Sequence, residues 1–335
     1  MNENENVPAP EPPGPAPEAT REPAPAPRPA LGRAGPADAV VPAGTPAAPA
    51  AVSAEPPPEA AAGCGCGCGG AGGAGGPQGS GGYVYAVGRI EARFPDLGVE
   101  KELEQAVGRT ETSGMTDGQA VHTVLNEPAN RYLARQMCWV LTIGGLDAYL
   151  LVPRDSAEVD LLVETVRPAP RAGDVDVVIG TMGGLASLDR CNGLTLPQIA
   201  FEQLYSFDTA SFLDRLPTPD GIDDGAFRAS AEEVLSRVTA LTDNTGSTDR
   251  HRAVNYCALR YPEIYSAAAA QYARDCALTG VDTTRSEVSM ARTLIDVVFT
   301  YTNRTTNVAD RLAARVDVTE MFPFLTAPLS SYCAH

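Results

Sequence analysis

The first 82 residues contain no aromatic side chain, yet they hold 18 of the chain's 29 prolines. A stretch so poor in large apolar groups cannot bury enough surface to offset the entropy of ordering, so residues 1–82 are expected to form a disordered tail. No apolar run in the sequence approaches the roughly 20 residues of a membrane span, which argues against a spanning helix. The opening MNENENVPAP lacks the apolar core of a secretion signal. A soluble cytoplasmic protein is therefore expected, and free thiols fit that compartment better than a disulfide framework. Basic residues are also short: after residue 82 there are 22, against 34 acidic ones, within a formal net charge of −17. Phosphate binding draws most of its affinity from Lys and Arg, so neither a nucleic acid nor an anionic membrane is expected as partner.

Histidine is scarce, with three in the chain, and no G-x-S-x-G nucleophile elbow is present. A serine-peptidase triad needs a Ser, a His and an Asp within mutual hydrogen-bond reach. His335 is the last residue, His122 lies within an expected helix, and His251 stands in the first turn of another. Each reads more readily as a surface or hydrogen-bonded core histidine than as a catalytic one. No catalytic residue is assigned, and a non-enzyme is the expectation.

What the chain does contain divides in two. The Ala-Pro run from Pro8 to Pro58 favours a stiff, extended polyproline II tether, and Ala61 to Gly82 turns Gly-rich and flexible. Residues 83–335 carry every aromatic side chain and are long enough for one large folded domain.

Within that domain the patterning is α+β, mixing helices with antiparallel hairpins. Tyr83 to Ile90 alternates as a strand, and Gly98 to Val107 places Val99, Leu103, Ala106 and Val107 on one helical face. Thr116 and Gln119 make a capping-box pattern, and Pro128 suits the first turn of a helix over Ala129 to Met137. Cys138–Ile143 and Leu146–Val152 flank Gly144-Gly145 as a two-residue hairpin. Ser156 caps a helix to Val166, Asp174–Ile179 is a short strand, and GTMGG (180–184) reads as a turn. Leu196–Phe207 fits strand or helix equally well. Asp223–Asp243, Thr248–Tyr261 and Pro262–Cys276 read as helices, and Arg292–Asn303 and Asp310–Val318 as strands.

Several segments carry a family resemblance. YVYAVGRIEARFP (83–95), GRTETSG (108–114), NRYLARQMCWVLTI (130–143), DVDVVIG (174–180), RCNG (190–193), DRHRAVNYCALRYPEIY (249–265), FTYTNRTT (299–306) and RVDVTEMFPFL (315–325) resemble, in colinear order, the C-terminal domain of the PatA and PatG cyanobactin maturation proteins. There the domain follows subtilisin-like protease domains that trim or macrocyclise ribosomally made peptides; here the Ala/Pro/Gly-rich stretch stands in that position. The resemblance implies a place in a ribosomal-peptide modification pathway. The family domain has no assigned activity, so no catalytic residues are carried over.

Cys64, Cys66 and Cys68 alternate with Gly in GCGCGCGG. A cyclodehydratase converts Cys to thiazoline by thiolate attack on the preceding amide, and Gly leaves that amide unhindered, so the repeat resembles an azole-forming core peptide. Three close thiolates also suit Cu(I) or Zn, although the C-x-x-C spacing is missing. Low-complexity drift in a Gly-rich linker is the third reading. Cys138, beside the only Trp, reads as a small buried hydrophobe. No cofactor is expected; the alternative is a structural zinc joining Cys138, Cys191 and a histidine, which has no ligand-spacing signature. Cys257, Cys276 and Cys333 look incidental. GTMGG imitates a phosphate loop weakly, lacking its Lys. Arg89, Arg93, Arg131 and Arg135 form either a local basic patch or, more simply, solvated surface. Trp139, at a helix-to-hairpin junction, reads as a structural anchor.

Three functions follow. The favoured one is a non-catalytic accessory domain that binds a precursor peptide or a modifying enzyme. The others are a self-presented substrate whose Gly-Cys repeat is modified, and an unrecognised enzyme or metal-binding protein.

Overall fold

A computed structural model describes residues 82–110, 114–241 and 243–332. The expected tail over 1–81, the Gly-Cys repeat with Cys64, Cys66 and Cys68, and Cys333 and His335 lie outside the described residues. The described part is α+β, with mostly antiparallel sheets.

Strand β1 (Tyr83–Arg93) opens a closed five-stranded barrel completed by β2 (Cys138–Ile143), β3 (Leu146–Leu151), β4 (Asp174–Leu185) and β5 (Pro197–Asp208). The circuit runs β1-β2-β3-β5-β4, and only the short β3–β5 contact is parallel. β1 achieves closure by changing partner. Tyr83 to Gly88 pair with β4, and Arg89 to Arg93 pair with β2. A Cβ at Gly88 would stand 2.1 Å from the Thr142 carbonyl oxygen, so only glycine lets the strands cross this closely.

Between β1 and β2 the chain inserts α1 (Leu97–Arg109), α2 (Asp117–Asn126) and α3 (Arg131–Gln136); α4 (Ser156–Thr165) links β3 to β4. The capping box forms as expected, since the Thr116 hydroxyl and the Gln119 side chain each accept from the other's backbone N–H. Leu103, Val124, Leu125, Leu133 and Leu162 bring these helices into one core with Val84, Leu141, Ile199 and Phe201 of the barrel. Each such side chain contributes about 1.5–3 kcal/mol on full burial.

The second half is helices on a sheet. After the short α5 (Thr209–Leu213), helices α6 (Asp224–Thr239), α7 (Asp249–Arg260) and α8 (Glu263–Tyr272) precede a meander of β6 (Cys276–Arg285), β7 (Leu294–Asn303), β8 (Ala309–Asp317) and β9 (Phe324–Ser331). Alternate residues Ile295, Val297, Phe299 and Tyr301 of β7 face the helices, which is the period-2 pattern of a one-sided sheet.

Helix α7 touches both halves. Tyr256 and Leu259 pack on Tyr85, Val177 and Ile179 of the barrel, while Ala253, Cys257 and Ala258 join the sheet's core. The half of β1 that lacks β2 is completed from here. The Tyr85 N–H donates to the Gly246 carbonyl (2.9 Å), and Asn255 Nδ2 donates to the Tyr85 carbonyl (2.7 Å). Asn255 is itself fixed by a reciprocal amide pair with Asn244 at 2.7 and 3.2 Å.

The structure corrects several sequence expectations. GTMGG is no turn: β4 runs through it, with register shifts at Ile179/Gly180 and Met182/Leu185 that absorb the glycines as bulges. Leu196–Phe207 resolves as strand, because both flanks pair. Asp155, not Ser156, caps α4, its carboxylate accepting from Glu158 N at 2.9 Å. The helix expected from Ala129 is a 3-10 turn over Pro128–Asn130 followed by α3. The helix expected to reach Cys276 stops at Tyr272, since Asp275 turns left-handed (φ 61°) and starts β6.

Candidate functional site

The partner change in β1 leaves a seam, and polar groups fill it. Beyond Gly88 the N–H of Ile90 no longer meets a β4 carbonyl; the fully buried Asp176 carboxylate accepts it at 2.7 Å. The same carboxylate accepts from Ser206 Oγ at 2.6 Å and Arg167 Nη2 at 3.1 Å, and Arg167 also reaches Asp174 at 3.5 Å. Thus β1, β4 and β5 are knotted at one anion whose lone pairs are used, the condition under which a buried charge is tolerated. Arg89 lies across the seam and donates to the carbonyls of Arg171 (2.9 Å), Ala172 and Asp174 (3.2 Å).

Beside the seam opens a cleft of about 620 Å³, between the barrel and α6. Val87, Ile143, Val175, Phe207, Leu235 and Leu259 give it apolar walls. Phe207 is held in place by stacking on Phe212 at 5.4 Å, which in turn meets Tyr265 edge-on. Glu91, Thr142, Ser236 and Thr239 supply polar groups at the rim, with Glu91 engaged by Arg93 at 2.8 Å. Arg93 in turn grips Asp147 with two bonds of 2.6 Å, and these hydrogen bonds hold its pKa above arginine's ordinary value. A second depression, about 730 Å³ on the outer face of the β6–β9 sheet, is more polar and is crossed by the Arg315–Asp296 pair at 2.7 Å. The first combines concavity with apolar walls and a small set of polar and charged groups, among them Arg89, Glu91, Asp174 and Glu232, the usual make-up of a ligand cleft.

Residues 221–332, spanning α6 to β9, match the family model described as PatG C-terminal. This chain carries a PatG-like C-terminal domain. A solved structure titled "PatG Domain of Unknown Function" aligns with a TM-score of 0.60 at 20% identity, covering 75% of this chain and 98% of that one. At that identity the likeness shows a shared fold, and at 75% of the chain it extends well beyond the segment matched by the family model. No curated protein matches.

In this PatG-like domain the residues singled out in the sequence do not gather in the cleft. Trp139 is 1% exposed and faces the barrel core, its Nε1 donating to the Ala134 carbonyl at 3.0 Å. Cys138 and Cys191 are joined in a disulfide with Cα atoms 5.7 Å apart. This corrects the expectation of free thiols, and neither sulfur remains as a thiolate for zinc. Cys257 and Cys276 are free and buried, and desolvation pushes the Cys257 thiol up to about 12. Among the described residues no group of three His, Cys, Asp or Glu is placed to hold a metal ion, and no helix is long and apolar enough to cross a membrane. Of the four arginines, Arg93 pairs with Asp147 and Glu91, Arg131 with Asp160 at 2.9 Å, Arg89 spans the seam, and Arg135 lines a shallow depression with Pro153 and Arg154.

His251 is half-buried at the start of α7, and its Nδ1 has no hydrogen-bond partner. Burial lowers its pKa, partly opposed by Asp243. With the folded pKa below the unfolded value of about 6.5, the unfolded chain binds the proton more readily. This group therefore leaves stability unaffected above that pH and subtracts from it as pH falls below. Denaturant titrations at pH 7.5 and 5.5 should show wild type losing more stability on acidification than His251→Asn; equal losses would refute the assignment.

The seam residues Asp176, Arg167 and Gly88 were missed in the sequence. A signal existed in DVDVVIG, where Asp176 interrupts an otherwise apolar strand, but its partners lie 9, 30 and 86 positions away.

Proposed function

We propose that this domain is a non-catalytic recognition module of a cyanobactin-like ribosomal-peptide maturation pathway, working in the cytoplasm. Its cleft receives an apolar stretch of a precursor peptide, presented there to modifying enzymes. The cleft itself carries the reading. Its walls are aliphatic and aromatic, while the charged groups around it have partners: Arg89 on carbonyls, Glu91 on Arg93, Asp174 and Asp176 on Arg167, Glu232 on Arg228. Such a surface offers anchors for side chains of an extended or helical peptide. The PatG-like fold supports the pathway, and residues 1–82 are proposed to set the reach of the module without adding affinity.

Calorimetry of the full chain with precursor peptides tests this. Binding is expected in the micromolar range, governed by a few apolar anchors. Phe207→Ala should weaken it about tenfold or more, whereas Tyr132→Ala, an exposed residue of α3 that does not line the cleft, should leave it unchanged. Absence of binding, combined with loss of one water mass at each of Cys64, Cys66 and Cys68 on treatment with a cyclodehydratase, would replace this reading with that of a self-presented substrate.

A further inference from the structure

The loop between β4 and β5, residues 186–196, folds back over the outer face of the β2–β3 hairpin. There Ala186, Leu194 and Leu196 cover Val140 and Leu150, which are 0% and 4% exposed. The loop's own hydrogen bonds are local: Arg190 N to Ser187 O, Gly193 N to Arg190 O, and Leu194 N to Cys191 O, with Ala186 N to Leu196 O closing its neck. What ties its tip to the barrel is the Cys138–Cys191 bond. The tip is also held in an unfavourable backbone form. Cys191, Asn192 and Gly193 are successively left-handed at φ 50°, 54° and 81°, and two of these carry side chains. Leu185 and Leu188 on the flanks are already 69% and 71% exposed.

We propose that the Cys138–Cys191 disulfide is a redox-responsive latch, whose reduction by a dithiol releases loop 186–196 and uncovers the apolar outer face of the hairpin. The two sulfurs are unequal in access, since Cys138 is buried and Cys191 half-exposed. An incoming thiolate attacks Cys191 Sγ, forming a mixed disulfide while Cys138 Sγ departs as thiolate and takes a proton. The second thiol of the reductant then displaces Cys191 as thiolate, which is protonated in turn, and the reductant leaves as its own disulfide. Two electrons and two protons pass to the protein. Once freed, the left-handed tip relaxes, because the covalent tie that selected its conformation is gone. The barrel keeps its closure, since none of the strand pairings depends on this bond.

Dithiothreitol on the full chain under native conditions provides the test, read by hydrogen exchange and by mass spectrometry of alkylated peptides. Digestion without reductant should yield a Cys138–Cys191 linked pair. After reduction both should alkylate while buried Cys257 stays protected. Amides of 186–196 and of the hairpin around Val140 and Leu150 should exchange on the order of tenfold faster, with β1 and β4 protection unchanged. The double variant Cys138→Ser, Cys191→Ser should exchange like reduced wild type and ignore dithiothreitol. Absence of the linked pair after mild oxidation overturns the proposal. So does exchange unaltered by reduction, which would make the bond an inert staple, or loss of protection throughout the barrel, which would make it a general support.

Discussion

Trp139→Ala is expected to lower the stability of the domain by about 3–5 kcal/mol, as for other large aromatic truncations in packed cores. Trp139 is the largest fully buried side chain, and it touches the point where α3 runs into β2. Truncation leaves a void between the inserted helices and the barrel. It also orphans the Ala134 carbonyl, which now accepts the indole N–H at 3.0 Å. Urea denaturation followed by circular dichroism would measure the loss. Since this is the only Trp, wild-type fluorescence should be blue-shifted; an emission maximum typical of water would contradict the burial.

A loss of similar size is expected for Asp176→Ala. Removing the carboxylate strands the buried Ile90 N–H and leaves the Ser206 hydroxyl without its acceptor and Arg167 with Asp174 as its one remaining carboxylate, and breaking a buried pair from one side costs about 3–5 kcal/mol. The size comes from the partners left behind, so the test is to remove one of them. Arg167→Met in the Asp176→Ala background should cost less than Arg167→Met alone, with Asp174 keeping its bond from the Arg171 N–H, whereas the two changes would simply add if Asp176 and Arg167 were independent. A double-mutant cycle by chemical denaturation distinguishes these outcomes.

Local chemistry was legible where it was self-contained. The capping box at Thr116 needs only Gln119, three residues on, and the hairpin turn needs only Gly144-Gly145, whose φ values of 59° and 81° no bulkier pair adopts cheaply. What the sequence concealed depends on distant partners. The closure of the barrel rests on β1 pairing with β4 about 90 positions later, as in Gly88 opposite Asp176. The cleft draws its walls from Val87 through Leu259. Glycines misled where bulges, not turns, accommodate them, as in β4. The disulfide was missed because its half-cystines lie 53 residues apart and compartment reasoning pointed to thiols. Pattern alone carries no information about which strands meet.

The completion of β1 by the loop before α7 and by Asn255 has a consequence for synthesis. The barrel's sequence ends at Asp208, yet the backbone of Tyr85 finds its last partners at Gly246 and Asn255, 170 residues downstream in the latter case. On a ribosome delivering about 5–20 residues per second, the first strand waits about 10–30 seconds with one edge bare before that helix emerges. A nascent barrel in that interval presents an unpaired strand edge to every neighbouring chain. The helix that joins barrel to sheet thus also covers the edge that the first strand leaves bare.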